Sequence, residues 1–244
     1  ISAPGNEARD ARILQVLEQS FQPDGDSVLD PGMAVMDAGT KAGLLSGLEV
    51  RKPKFSRTGF FISANGAVLT TVEAVSACGR VTIDRDTEAT VTLSDTASGL
   101  ALLTPKSPLS PRALAGFATA AARPGSEVTV PGYSYEDRLP APTLTFGTLE
   151  DLTGLNGETG LHRLALQSLP GDAGGAVLDA QGAVIGMLMP TAPQGGKQLP
   201  AGVAFALSAA EITRLLTPTG IAPQTAVQAG PLSPAALAEK GTGM

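Results

Sequence analysis

Few residues of this chain could carry out nucleophilic or acid–base chemistry. His162 is the only histidine, so any mechanism in which an imidazole activates a serine must use it. It lies at a predicted strand entry, just after Gly160. Ser168 alternates with Leu166 ahead of a turn at Pro170, which gives no reason to direct its hydroxyl towards His162. We therefore predict a structural or solvent-exposed role for His162.

Cys78 is the only cysteine, which excludes an intramolecular disulfide and an all-cysteine zinc site. We predict a small, half-buried apolar role for it, with a bridge to a partner or to a missing segment as the alternative. We expect no cofactor and no metal. The net charge of −6 argues against a nucleic-acid partner, because phosphate backbones require clustered Lys and Arg. The sequence contains no run of 18 or more apolar residues, so it predicts no membrane-spanning helix.

The elements that position these residues are predicted to be mostly strands. The chain has 29 Gly and 19 Pro but no Trp, which favours a β-rich protein with many turns. Asn65-Gly66 between two apolar runs predicts a β-hairpin over residues 58–71. Further predicted strands are 80–83, 89–93, 99–103, 127–130, 143–149, 161–167, 176–178, 183–189 and 202–206. Short strands at this spacing predict an all-β barrel or sandwich.

Two helices flank the predicted strands. Ile13, Val16 and Leu17 recur at helical spacing within residues 7–21, which predicts an amphipathic helix. A capping box that starts at Ser208 predicts a closing helix.

These elements divide the chain into three parts. Residues 1–47 form an N-terminal helix and leader, residues 48–217 a β domain, and residues 218–244 a flexible tail rich in Pro, Ala and Gly. Within the β domain we expect one half at about 48–112, a second half at about 120–207, and the closing helix at 208–217.

Three segments carry a family resemblance. They are Thr58-Gly-Phe-Phe-Ile-Ser through Thr70-Thr-Val-Glu73-Ala-Val75, then Ser98-Gly99-Leu-Ala-Leu-Leu103, and Pro170-Gly-Asp-Ala-Gly-Gly175 with the strand that follows. Residues 201–207 give a softer match. In this order and spacing they resemble the trypsin-like serine peptidase family, in its bacterial HtrA/Deg branch. The resemblance covers about residues 50–217 and implies a double six-stranded β-barrel with an N-terminal and a C-terminal helix.

The resemblance places three residues where the family has its catalytic triad. Glu73 stands at the histidine position, and a carboxylate cannot relay a proton as an imidazole does. Gly99 stands at the aspartate position without a side chain, and Ala173 stands at the serine position without a hydroxyl. We therefore predict a degenerate triad and no catalytic residue. A single inactivating exchange would explain Ala173 alone, so we take the degenerate site as natural.

The resemblance also implies what the cleft retains. Gly171 and Ala173 stand where the family's oxyanion-hole N–H groups arise, and Gly174 and Gly175 allow close backbone approach. The alternative is that these glycines are kept because the barrel turn requires them.

A second retained feature is a strand for an extended ligand. Gly202, Val203 and Ala204 resemble the strand against which protease substrates lie, which predicts an edge that binds an extended peptide. Gln167, six residues before Ala173, matches the base of the specificity pocket and would make that pocket neutral and polar.

The prediction is therefore an inactive trypsin-like protease homologue that binds a protein or an extended peptide as a scaffolding module. The resemblance implies the bacterial envelope, as a periplasmic or secreted protein. The start at Ile1 fits removal of a signal segment, or a trimmed chain.

Two other functions compete with this prediction. One is an active hydrolase that uses non-standard residues such as Glu73 or His162. Pairing Glu73 with Asp172 for acid–base chemistry is disfavoured, because in the family the residue before the nucleophile points away from the cleft. The other is a stabilising domain of a larger assembly, docked through residues 1–47.

Overall fold

A computed structural model of the chain describes residues 7–20, 44–45, 48–49, 53–136, 138–191, 200–227 and 230–244. The chain divides into two compact units, Ile1–Lys52 and Pro53–Met244. In the first unit, helix α1 spans Glu7–Ser20, as its apolar spacing predicts. Strands β1 (Leu44–Leu45) and β2 (Leu48–Glu49) form an antiparallel hairpin. The predicted end of the helix at Phe21 lies outside the described residues.

The first half of the second unit is an antiparallel sheet with the strand order β3-β4-β7-β6-β5. Its elements are β3 (Phe60–Phe61), β4 (Val68–Thr71), α2 (Val72–Val75), β5 (Val81–Ile83), β6 (Thr87–Asp95) and β7 (Leu100–Pro105). The predicted hairpin at Asn65-Gly66 joins β3 to β4, with Phe60 opposite Leu69. Gly66 has a φ of +88°, which glycine adopts without strain, and its N–H donates to Ser63 O. The turn residues therefore set the register of the sheet.

The second half contains the remaining strands. They are β8 (Gly116–Phe117), β9 (Glu127–Gly132), β10 (Thr143–Thr153), β11 (Thr159–Ala165), β12 (Ala176–Leu178), β13 (Val184–Leu188), β14 (Val203–Ser208) and β15 (Gln224–Thr225). Their order is β12-β9-β10-β11-β14-β13-β8-β15, and β12 also pairs with β13. This extra pairing closes six strands into a ring, so the sheet has the barrel topology that the sequence predicts.

The two halves share one hydrophobic core. Its buried members come from both sheets and from the C-terminal helices, and they include Phe60, Leu69, Leu100, Leu178, Val184, Met187, Ile212, Leu216 and Leu237. Helix α3 (Ala209–Leu216) closes this core, and Ser208 Oγ accepts the Glu211 N–H at 3.2 Å, which is the predicted cap. Burial of apolar side chains from both sheets holds the halves together.

Part of residues 218–244, which composition predicts to be a flexible tail, is helical. Helix α4 (Pro234–Gly243) follows Ser233, whose Oγ accepts the Ala236 N–H. The side chains of Leu237 and Met244 are buried, and Met244 O accepts the Phe61 N–H at 2.8 Å. A serine cap and two apolar side chains are enough to order a short segment that is otherwise rich in small residues.

Candidate functional site

The three residues at the triad positions follow three different elements. Glu73 lies in the first turn of α2, directly after β4. Gly99 precedes β7, and Ala173 follows a 3-10 turn over Pro170–Asp172. The backbone links the first two places, because the Val72 N–H donates to Gly99 O at 2.8 Å. Ala173 is tied to the first half at Thr58, whose N–H donates to Ala173 O at 3.1 Å.

The Glu73 carboxylate forms an ion pair with Arg57. Arg57 donates to Glu73 Oε1 from Nη2 at 2.6 Å and from Nε at 3.1 Å. Its Nη1 donates to Glu136 Oε1 and to Ser56 O, both at 2.9 Å, and the guanidinium lies 5.0 Å from the centre of the Phe55 ring. The Arg57 side chain is 12% exposed, whereas both carboxylates are 42% exposed. We call the Glu73–Arg57–Glu136 arrangement the Arg57 bridge.

Sequence reasoning missed the Arg57 bridge for a physical reason. Arg57 lies 16 residues from Glu73 and 79 residues from Glu136. No periodicity or local motif connects residues at such separations, and only the packing of the two halves brings them together.

The position of Gly99 is partly filled by another side chain. Gly99 has a φ of +75°, and a Cβ at this residue would lie 2.6 Å from Met189 Cε. A carboxylate at position 99 would therefore require Met189 to move, and it would also impose a left-handed backbone on a non-glycine residue.

Ala173 is buried at the end of the 3-10 turn. Its N–H donates to Pro170 O at 3.4 Å, and the Asp172 N–H donates to Leu169 O at 3.0 Å. In this conformation the Ala173 N–H is used within the turn, whereas an oxyanion hole would direct it at a ligand. Binding at Gly171, Ala173 and Gly174 remains a prediction.

The glycines of this turn also have packing roles. We call residues 170–175 the site turn. A Cβ at Gly171 would overlap Tyr133 O, and a Cβ at Gly174 would overlap Thr58 O. Gly174 also has a φ of +89°. Both contacts favour the interpretation that the fold requires these glycines.

The Asp172 carboxylate is held by hydrogen bonds to Ser134 and Leu169. This carboxylate is buried, with Oδ1 accepting from Ser134 Oγ at 2.5 Å and Oδ2 from the Leu169 N–H at 2.8 Å. Glu73 is bound to Arg57 instead, so the two carboxylates share none of these partners. The geometry gives no support to a paired-carboxylate mechanism.

The predicted peptide-binding edge lies at the start of β14, a strand that has sheet partners. Val203 and Ala204 in β14 pair with Ala165 and Leu164 of β11, and Leu166 donates its N–H to Gly202 O. Further along, β14 pairs with β13. Strand β14 is therefore flanked on both sides at Ala206 and Leu207, whereas at Gly202, Val203 and Ala204 its strand partner among the described residues is β11 alone. A peptide contact at these three residues stays a prediction.

Another segment borders the site turn. Leu188, the last residue of β13, accepts the Gly174 N–H and donates its own N–H to Gly175 O, both at 2.8 Å. Residues Met189–Thr191 continue from this point, and Thr191 Oγ1 lies 3.4 Å from Ser168 Oγ. Gln167, at the predicted pocket base, is exposed, and residues 192–199 lie outside the described residues.

Comparison with known proteins decides the family. A family model, the trypsin-like peptidase domain, matches residues 57–187, which is more than half of the chain. The chain belongs to the trypsin-like peptidase family. This confirms the resemblance seen in the sequence, and the fold is that of a serine endopeptidase.

Solved structures are similar to this trypsin-like domain. An inactive serine-to-alanine mutant of Rv3671c from M. tuberculosis H37Rv is 26% identical, with a TM-score of 0.55 over 70% of this chain and 84% of that chain. The active form of the Rv3671c protease is 25% identical, with a TM-score of 0.53 over 72% and 77%. A serine endoprotease from Yersinia pestis is 21% identical, with a TM-score of 0.54 over 67% and 60%, and this shows the fold alone.

A longer protein is also similar to the chain. "Uncharacterized protein y4bJ" from Sinorhizobium fredii is 28% identical over 245 residues. The match covers 95% of this chain and 36% of that protein, so the chain spans about a third of that relative.

Within the described residues, no helix has the length and apolar character needed to cross a membrane. The same residues contain no group of three or more His, Cys, Asp or Glu side chains that could hold a metal ion.

His162 lies inside the second barrel of the trypsin-like domain. It sits on β11 opposite Ala206 of β14, is 9% exposed, and its Nδ1 has no hydrogen-bond partner among the described residues. Burial lowers the pKa of this imidazole from its ordinary value of 6.5, because desolvation disfavours the charged form. A buried neutral imidazole agrees with the predicted structural role.

This burial predicts a pH dependence of stability. Since the pKa of His162 is lower in the folded state, the unfolded chain binds more protons below about pH 6.5, and the folded state is destabilised as the pH falls. The slope from this group is at most about 1.4 kcal/mol per pH unit. Urea unfolding between pH 7 and pH 5 should show a steeper loss for wild type than for His162→Phe. Equal slopes would contradict the assignment, and NMR titration of the single histidine gives its pKa directly.

Two adjacent threonines of β4 make a matched pair for a second prediction. Thr70 Oγ1 donates to Thr58 O at 2.8 Å, whereas the buried Thr71 Oγ1 has no partner among the described residues. We expect Thr71→Val to raise the free energy of unfolding by about 1 kcal/mol, because it removes an unsatisfied buried hydroxyl. Thr70→Val should lower it by about 1–2 kcal/mol. Chemical denaturation of both variants tests this, and a loss of stability in both would refute it.

Proposed function

We propose that this trypsin-like domain has no peptidase activity and binds a protein or an extended peptide in the bacterial envelope. The observation that carries the proposal is the state of the triad positions. Ala173 offers no nucleophile, Gly99 offers no carboxylate, and Glu73 is bound to Arg57. A serine peptidase mechanism requires all three groups in contact. Because the chain has the peptidase fold but lacks these catalytic groups, we infer that its function is binding.

The active-hydrolase alternative has no comparable support. Glu73 is ion-paired with Arg57, and His162 is buried between β10 and β14 on strand β11. Neither side chain is presented as a free base beside a serine. If either residue were catalytic, Glu73→Gln combined with His162→Phe would abolish activity.

The test of inactivity uses two substrates. The chain is incubated with casein and with a fluorophosphonate probe, next to a heat-denatured control. We expect neither cleavage nor labelling above that control. Activity that survives purification and disappears in the Glu73→Gln, His162→Phe double variant would overturn the proposal in favour of the alternative.

We place the peptide-binding edge at Met189–Thr191. This segment continues β13 past the backbone bonds between Leu188 and the site turn. The Met189 N–H already donates to Phe205 O of β14 at 2.8 Å, so the candidate groups for a ligand are the backbone groups of Pro190 and Thr191. An extended ligand can add to a sheet edge through backbone hydrogen bonds. This segment is our first candidate for the peptide contact, next to the predicted one at Gly202, Val203 and Ala204.

A matched pair of variants tests this edge. Thr191→Pro removes the backbone N–H, whereas Thr191→Ala keeps it and removes only the side chain. Peptides selected from a displayed library against the wild type should bind Thr191→Pro about ten-fold more weakly, which corresponds to the loss of one backbone hydrogen bond at an interface. Thr191→Ala should bind nearly as wild type. Equal affinities for all three chains would exclude this edge.

The compartment is a separate part of the proposal. Placement in the envelope, periplasmic or secreted, rests on analogy with the family. Fractionation of the source bacterium with a chain-specific antibody tests it, and recovery in the cytosolic fraction would refute it.

A further inference from the structure

The Arg57 bridge connects the two halves of the domain. Glu73 belongs to the first half, on α2, and Glu136 belongs to the second half, in the turn after β9. Arg57 Nη2 lies 2.6 Å from Glu73 Oε1, and its Nη1 lies 2.9 Å from Glu136 Oε1. One largely buried guanidinium thus joins two half-exposed carboxylates that belong to different halves of the domain.

The next residue extends this connection through its backbone and hydroxyl. Thr58 Oγ1 accepts the Tyr133 N–H at 2.8 Å and donates to Gly171 O at 2.7 Å. The Thr58 N–H donates to Gly171 O at 3.0 Å and to Ala173 O at 3.1 Å. The turn Tyr133–Glu136 is therefore held at its first residue by Thr58 and at its last by Arg57. The site turn is held by the same two-residue segment.

The two ends of the turn Tyr133–Glu136 are held unequally. Thr58 is buried, so water does not compete for its bonds to Tyr133 and Gly171. The Glu136 carboxylate is 42% exposed, so water and salt weaken its pair with Arg57. Glu136 also has a φ of +58°, a left-handed conformation that is unfavourable for a residue other than glycine. Exposure and backbone strain both make Glu136 the end that detaches first.

We propose that the Arg57–Glu136 ion pair is a releasable latch between the two halves. In the latched state the turn Tyr133–Glu136 is held against the site turn through Thr58. In the released state Arg57 stays with Glu73, Glu136 relaxes its backbone, and the Tyr133 N–H leaves Thr58 more often. Regulation of access to the cleft by this latch rests on the proposed binding function, but the latch itself does not.

The two tyrosines of the chain make the latch measurable. Tyr133 and Tyr135 are the only tyrosines, so ¹⁵N-tyrosine labelling gives two amide signals, and Tyr135→Phe assigns them. The Tyr133 amide is protected through Thr58 Oγ1. We expect Glu136→Gln to accelerate hydrogen exchange of this amide about two- to five-fold, the effect of losing one partly exposed ion pair. In wild type, 0.5 M NaCl should accelerate the same exchange, and in Glu136→Gln it should not.

A matched control separates the latch from general charge loss. Glu88 pairs with Lys106 at 2.6 Å, and its side chain is 41% exposed, close to that of Glu136, but this pair lies within the first sheet. Glu88→Gln should leave the exchange of the Tyr133 amide unchanged. Glu136→Gly removes both the ion pair and the backbone strain, and it checks that faster exchange does not come from misfolding of the glutamine variant.

The possible outcomes decide the latch without reference to any ligand. Faster, salt-insensitive exchange in both Glu136 variants, with wild-type behaviour in Glu88→Gln, supports it. Unchanged exchange in Glu136→Gln, or the same acceleration in Glu88→Gln, overturns it. The hydrogen-exchange experiment contains no peptide, so a negative result there does not affect the binding test at Thr191. A negative result in the binding test likewise does not affect the latch.

Discussion

Replacement of Gly174 by alanine is expected to destabilise the trypsin-like domain by more than about 3 kcal/mol. The methyl group would overlap Thr58 O and lie 2.8 Å from Thr70 Oγ1. Neither neighbour can move freely, because the Thr58 N–H is bound to Gly171 O and Ala173 O, and Thr58 O accepts the Thr70 hydroxyl. The substitution therefore strains the connection between the first half and the site turn.

A control variant at a second glycine distinguishes the cost of the steric overlap from the cost of backbone strain. Gly125 has a φ of +84°, close to the +89° of Gly174, but a Cβ there would meet nothing within 4 Å. Gly125→Ala should therefore cost only the left-handed backbone, about 1 kcal/mol. Guanidinium unfolding of both variants measures the difference. Similar losses for the two would mean that the site turn adapts to the methyl group, and that Gly174 is not required by packing.

The stability of Gly174→Ala tests whether the glycines of the site turn serve packing or ligand binding. A large loss of stability in Gly174→Ala would show that the fold alone accounts for this glycine. Its presence would then carry no information about an oxyanion hole. Binding at the site would have to be argued from Met189–Thr191 and from the Arg57 bridge instead.

Local patterns in the sequence predicted the parts of the fold that local chemistry determines. Asn65-Gly66 specifies the hairpin between β3 and β4, because its glycine supplies a positive φ. Ser208 specifies the start of α3 through its side-chain cap. The order of the three family segments predicted the family, which the match to residues 57–187 confirms.

The parts that local patterns did not predict depend on contacts between distant residues. Nothing near Arg57 in the sequence indicates Glu136 as its partner, 79 residues away. The apolar alternation of Val203–Ser208 is the same for an interior strand and for an edge strand, so only the pairing with β11 and β13 distinguishes them. The Pro-, Ala- and Gly-rich composition likewise did not predict α4, which is stabilised by one serine cap and two buried side chains.

Truncation of Leu237 to alanine is expected to lower the free energy of unfolding by about 2–5 kcal/mol. The side chain is 4% exposed and belongs to the core cluster that includes Leu178, Val184 and Ile212. Removal of three of its carbon atoms leaves a cavity at the place where α4 meets the barrels. The loss should propagate to β3, because the helix brings Met244 O to the Phe61 N–H.

An exposed residue of the same helix gives the control. Glu239→Ala changes a solvent-facing side chain of α4 and should alter stability by less than about 0.5 kcal/mol. Thermal and urea unfolding should give one cooperative transition in Leu237→Ala, shifted to lower temperature and lower urea concentration. A transition unchanged from that of Glu239→Ala would place α4 outside the cooperative unit and restore a domain boundary near residue 217. A shifted single transition would make the C-terminal helix part of the domain, since a loosely held segment could not transmit the loss to the barrels.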